Sequence, residues 1–199
     1  MMNLAAAFSR VPKFVLFGAA GVIQIALIGL MVADRVMILR TGAEVTLQTR
    51  PVDPCDFLRG DYVVLGYDIS SVPAGALKDE PSAEPNTPVF VKLAPNRDGF
   101  YEAISAHAAP VDVAIPDVLI RGHVVSGDSC GRDLRTFCTT LQVRYGIERY
   151  FVPEGEGRKL ESARNQRKLT IVAAVAPTGR AAIKRLLVDG QPVYDEPWF

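Results

Sequence analysis

Residues 14–33 read FVLFGAAGVIQIALIGLMVA, an unbroken apolar run with one polar side chain, Gln24. No other stretch restricts the chain as strongly. As a helix the run rises about 30 Å, the thickness of a bilayer's hydrocarbon core. A helix also satisfies its own backbone in lipid. A soluble helix of this length would carry a polar face, which this one lacks. A cleavable signal peptide has an apolar region of only about 7–15 residues that ends in small residues. Here the run is longer, and Met31-Val-Ala33 is a poor cleavage site. The run therefore predicts an uncleaved transmembrane signal anchor over 14–33. A cytoplasmic tail over 1–13 would precede it, and an extracytoplasmic domain over 34–199 would follow.

Charge sets the orientation, by a narrow margin. Arg10 and Lys13 precede the run with no acid before residue 34, whereas Asp34, Arg35 and Arg40 follow it. The excess of bases before the helix places the N-terminus in the cytoplasm. The chain would then cross the membrane once, with its C-terminal domain on the outer side. Gln24 and the Gly18-x-x-Gly21 spacing fit packing against another membrane helix, and they equally fit ordinary transmembrane composition. The chain carries 22 basic and 22 acidic residues, so no net basic charge argues for nucleic acid.

Beyond the anchor the pattern is that of short strands. Residues 44–50 alternate, with Val45, Leu47 and Thr49 on one side. Pro51 stops that strand. Asp53 can then cap a short helical turn whose first position suits Pro54. Asp56 favours the positive end of the turn, and Gly60 allows a sharp exit. Residues 62–70 predict one strand. Val63, Leu65, Tyr67 and Ile69 face the core, and Tyr62, Val64, Gly66 and Asp68 point the other way. Residues 73–88, rich in Pro, Ala, Glu and Ser, predict a loop.

Residues 87–93 and 100–107 flank Asn96-Arg-Asp-Gly99 as a hairpin. Strands are expected over 118–125 and 139–152, the latter bent at Gly146. A short, mostly exposed helix over 155–168 carries Leu160 and Ala163, and strands over 169–176 and 181–188 lead to a tail over 192–199. About eight short strands and one helix predict a mainly β domain, a barrel or a sandwich.

Candidates for chemistry are sparse. Cys130 and Cys138 bracket a short loop and could form a disulfide in an oxidising compartment, with two reduced thiols as the alternative. Cys55 is left over as a free thiol. No metal is expected, because His107 and His123 lack paired ligands nearby in sequence. No cofactor is expected either. The layout is similar to that of bacterial signal peptidases, which place a nucleophilic serine soon after the anchor and a lysine base further on. Here no serine lies between Val32 and Ile69, and Ser70, Ser71 and Lys78 are the remaining candidates. Arg59-Gly60-Asp61 spells a common adhesion tripeptide, and Gly155-Glu-Gly157 reads as a tight turn rather than an anion cradle.

Gly60-Asp61-Tyr62-Val-Val-Leu65-Gly-Tyr67 matches in full the pattern that names the GDYXXLXY protein family. The preceding Asp53-Pro54-x-Asp-x-Leu-Arg-Gly60 is similar to that family. So are Tyr145-Gly-Ile-Glu148-Arg149-Tyr-Phe-Val-Pro-Glu-Gly155 and the stretch from Ala181 to Tyr194. The resemblance implies a membrane-anchored bacterial protein. Its relatives have no assigned activity and occur beside, or fused to, multi-pass membrane proteins. Cys55 stands where the family more often has a polar or basic residue, which weakens any role for its thiol.

The reading that follows is a non-enzymatic accessory domain that docks on a multi-pass membrane protein. Asp61 and Tyr62 at the motif, with Glu148 and Arg149 on the long strand, are the expected interface residues. A small-molecule or envelope-component binding domain is the alternative, and a membrane-surface hydrolase using Ser70 or Ser71 is the third.

Overall fold

The computed structural model describes residues 12–51, 62–78, 84–127, 140–152 and 157–196. Asp53, Pro54, Cys55, Asp56, Gly60, Asp61, Cys130 and Cys138 lie outside the described residues, as does the side chain of Tyr62. The described chain divides into two compact units, one ending at Met37 and the other beginning at Ile38.

The first unit is carried by helix α1 (Lys13–Thr41), 29 residues long. It is long and apolar enough to cross a membrane, and its most apolar stretch is not buried within the protein. The helix runs on past residue 33, where the sequence reading ended it. The reason lies in its last turn, where Ile38 and Leu39 are buried with Ala174 and Ala182. That burial holds Asp34-Arg-Val-Met-Ile-Leu-Arg40 in helix, although the apolar run has ended. Gly42 ends it: a Cβ there would stand 2.6 Å from the Ile38 carbonyl oxygen and 2.9 Å from the Val175 nitrogen.

The second unit is mainly β. Strand β1 (Ala43–Arg50) follows the helix at once. The motif segment gives β2 (Tyr62–Val64), β3 (Gly66–Tyr67), a 3-10 turn and β4 (Ser71–Pro73). Then come β5 (Pro88–Pro95), β6 (Tyr101–His107), β7 (Val118–Gly127), β8 (Thr140–Arg144) and β9 (Arg149–Phe151). Helix α2 (Gly157–Asn165) precedes β10 (Leu169–Val175), β11 (Ala181–Val188) and β12 (Gln191–Asp195).

Among the described residues the strands form two five-stranded sheets and one two-stranded ribbon, with no closed barrel. The first sheet runs β12-β11-β10-β1-β3, the second β4-β8-β7-β5-β6, and the ribbon is β2-β9. Every pairing among these named strands is antiparallel. Val45 and Leu47 of β1, Ile171 and Ala173 of β10, Val89 and Val91 of β5, and Ile120 and Leu141 of β7 and β8 share one core. That is the arrangement of a sandwich, in which two inner faces bury each other. All seven residues of β10 are buried, so both its faces are covered, and its sequence, LTIVAAV, is correspondingly continuous in hydrophobicity.

Three expectations require correction. Residues 62–70 are not one strand, because the chain changes partner at Leu65: β2 pairs with β9, whereas β3 pairs with β1. The alternation nevertheless survives the switch, and Val63, Leu65, Tyr67 and Ile69 are all buried. Residues 139–152 are not one bent strand. Gly146, at φ +82°, turns the chain out of the second sheet, and β9 joins the ribbon instead. The tail, for which no strand was expected, supplies most of β12, which extends the first sheet by pairing with β11 across the Asp189-Gly190 turn. The hairpin around Asn96-Arg-Asp-Gly99 forms as expected. Asn96 Oδ1 accepts from the Asp98 and Phe100 N–H groups, and Gly99 takes φ +83°.

Candidate functional site

The second half of the motif sits at the centre of a buried cluster rather than on an open surface. Strand β2 leaves Val63 inside, and Leu65 follows at the point where the strand changes partner. The Leu65 N–H donates to the Glu148 carbonyl at 2.8 Å, so the break in the strand is sealed by the turn that precedes β9. Tyr67, wholly buried, donates its hydroxyl to the Ile147 carbonyl of that same turn. Tyr145 reciprocates, donating its hydroxyl to the Ile69 carbonyl at 2.7 Å. Two phenols thus cross between the motif and the Tyr145–Tyr150 region, each satisfying a backbone carbonyl that would otherwise be stranded.

Glu148 holds this turn from within. Its carboxylate accepts the Tyr145 N–H at 2.5 Å and the Gly146 N–H at 2.9 Å. The structure therefore places Glu148 in the turn before β9, with its carboxylate engaged, rather than on a long strand. Arg149 is exposed on β9. Burial pushes the Tyr67 and Tyr145 phenols far above their ordinary range, and the Glu148 carboxylate adds to the effect. Both hydroxyls therefore stay protonated donors at any physiological pH.

Arg164 completes the cluster. It is 1% exposed, the largest side chain among those fully buried. Its Nη1 donates to the Val64 carbonyl, while Nε and Nη2 donate to Asn165 Oδ1 at 3.1 and 3.0 Å. The sequence reading missed this residue by treating α2 as mostly exposed. A signal was available: Leu160, Ala163 and Arg164 stand at helical spacing on one face, and all three are buried. The third family-like stretch joins through Tyr150, which donates to Glu196 Oε2 at 3.0 Å and meets the Tyr194 ring edge-on at 6.2 Å. Burial, followed by the Glu196 charge and hydrogen bond, raises the Tyr150 phenol as well.

Outside the cluster, Phe151 is 79% exposed on β9 and stands in register opposite Tyr62. The serines considered as nucleophiles are otherwise engaged or enclosed. Ser70 is buried, and Ser71 Oγ accepts from Arg50 Nη1 at 2.6 Å and from Gln142 Nε2 at 2.9 Å. His107 Nε2 lies 2.9 Å from Ser105 Oγ, a local strand contact. Among the described residues no group of three His, Cys, Asp or Glu could hold a metal. An open groove of about 470 Å³ lies elsewhere, bordered by Thr41, Val111, Val113, Ile115, Leu119 and Val175.

The arrangement joins the second half of the motif to the Tyr145–Tyr150 region, and that region to Tyr194 of the stretch from Ala181 to Tyr194. A family model described as GDYXXLXY protein matches residues 24–186, most of the chain. No curated protein and no solved structure matches it.

Proposed function

This chain belongs to the GDYXXLXY protein family, and from that premise we propose that it is a non-enzymatic, membrane-anchored accessory protein whose β domain docks on a multi-pass membrane protein. The observation that carries this reading is Phe151. A large aromatic side chain, 79% exposed, stands on the short ribbon in register with the motif's Tyr62. Exposed aromatics beside an arginine are typical anchors of protein interfaces, and Arg149 is on the same strand. The buried half of the motif supports the reading too: Leu65 and Tyr67 are packed in the core, and Arg164 holds the Val64 carbonyl of the ribbon. Rigid presentation lowers the entropic cost of association.

The same reading puts α1 across the bacterial cytoplasmic membrane with its N-terminus inside, supported by Arg10 and Lys13 before the apolar run. The domain then faces the periplasm or exterior, where Cys130 and Cys138 could pair. A reporter fused to the C-terminus reads the orientation directly.

The docking test is a photo-crosslinking residue at position 151 of the full chain in native membranes. An adduct with an integral membrane protein is expected, and recovery of the chain alone overturns the reading. The groove at Ile115, itself 97% exposed, favours a second reading, a binding site for an apolar small molecule. Its size falls within the range of ligand pockets. A rise in thermal midpoint with envelope extracts, lost in Val113→Arg, is the expected sign.

A further inference from the structure

We propose that the outer face of the second sheet is a docking surface for an extended acidic peptide segment. On β7 the side chains of Arg121, His123 and Val125 alternate outward, and Ile120, Gly122 and Val124 alternate inward. On β8 the outward residues are Gln142 and Arg144. The register sets His123 opposite Arg144, and Arg121 opposite Phe90 of β5. Arg121 and Arg144 are therefore diagonal neighbours on one face, about 7–8 Å apart.

Both are exposed, and neither guanidinium has a hydrogen-bond or ion-pair partner among the described residues. A third guanidinium, that of Arg50, reaches the same face, where it is held by neutral groups only, Ser71 Oγ at 2.6 Å and Gln142 Oε1 at 3.3 Å. Gln142 is the next outward residue to Arg144 along β8.

Other basic side chains of the two large sheets carry carboxylate partners. Lys92, on the same sheet, is paired with Asp117 at 2.7 Å. On the first sheet Glu44 takes both Lys184 at 2.8 Å and Arg185 at 2.5 Å. Among the described residues no carboxylate is ion-paired to any of these three arginines, and like charges on one sheet face repel one another. An incoming carboxylate removes that repulsion, and arginine is suited to bind it through two parallel hydrogen bonds. Spacing narrows the occupant. An extended chain repeats every second side chain at about 6.8 Å, close to the Arg121–Arg144 diagonal. A segment with Asp or Glu at alternate positions therefore fits this face. The docking reading above supplies the context, since such a segment would belong to the membrane partner; the surface itself can be tested without that partner.

The full chain in detergent micelles is titrated against a fluorescein-labelled peptide of alternating Glu and Ser, read by anisotropy. Saturable binding is expected, weakened about tenfold by the double change Arg121→Glu and Arg144→Glu, and also weakened by added salt. The neutral pair Arg121→Gln and Arg144→Gln should fall between, with an unchanged thermal midpoint showing that the fold persists. A matching Lys-Ser peptide should not bind. The proposal is overturned if the Glu-Ser peptide fails to bind, or binds the charge-reversed chain equally well. Arginine-dependent binding to phosphatidylglycerol vesicles without peptide binding also overturns it, in favour of a lipid surface. The crosslinking test uses the unaltered arginines and the peptide titration needs no partner, so the two proposals fail separately.

Discussion

Tyr67 shows how a motif residue can be fixed by architecture alone. Its ring fills the core and its hydroxyl serves one carbonyl, that of Ile147. Tyr67→Phe keeps the ring and strands the carbonyl, so it should cost about 1–3 kcal/mol in denaturant unfolding. The pH dependence follows from the raised phenols of Tyr67 and Tyr145. In the unfolded chain both ionise near pH 10, while the folded chain keeps their protons. The unfolded state then binds fewer protons, so stability is complete below about pH 10 and falls above it. Tyr67→Phe should flatten that alkaline decline, measured as denaturation midpoint against pH. Glu148 gives a second test. Glu148→Ala releases the Tyr145 and Gly146 N–H groups and should destabilise the domain by about 1–3 kcal/mol. An interface residue would instead leave stability unchanged. Alternation made Tyr67 legible as a core residue, but it says nothing about a carboxylate that turns back on its own chain. Arg164 was hidden for a similar reason: a charge on a short helix reads as solvent-facing until the carbonyl it serves, that of Val64, is known.

At the scale of elements, strands with one buried face were legible and changes of partner were not. Val45, Leu47 and Thr49 of β1 are buried as their alternation required, and the β5–β6 hairpin closes on its Asn-Gly turn. By contrast, the split of residues 62–70 depends on β1 and β9, which compete for opposite ends of the segment. Nothing local marks that division, because both halves keep the same inward face. The junction of α1 with β1 was also misplaced, and Gly42 explains its true position. Gly42→Ala would bring a Cβ within 2.6 Å of the Ile38 carbonyl oxygen and 2.9 Å of the Val175 nitrogen, both backbone atoms. Neither can yield without moving the helix end or β10. The change should therefore cost about 1–3 kcal/mol, read as a lower thermal midpoint of the domain.

For the whole molecule, the division at Met37 and Ile38 separates a helix long and apolar enough for lipid from a domain with its own core. The clusters that hold the domain draw on residues from Ile38 onward, so the apolar run contributes to neither of them. A chain beginning at Ile38 should therefore unfold cooperatively in solution. Ile38 and Leu39 are part of that domain, because they cover Ala174 and Ala182 on the outer side of β10 and β11. A chain beginning at Ala43 would strip that cover and expose the second face of the strand that pairs with both β1 and β11. Burying one such aliphatic side chain is worth about 1.5–3 kcal/mol, so losing two should lower the unfolding free energy by several kcal/mol and promote self-association through the bared alanines. The comparison of the two truncations by urea unfolding and sedimentation isolates this term, since every residue from 43 onward is common to both. Equal stability would mean that the last turn of α1 merely continues the anchor. A large difference makes that turn a structural part of the domain, and the boundary between anchor and domain then lies inside a single helix.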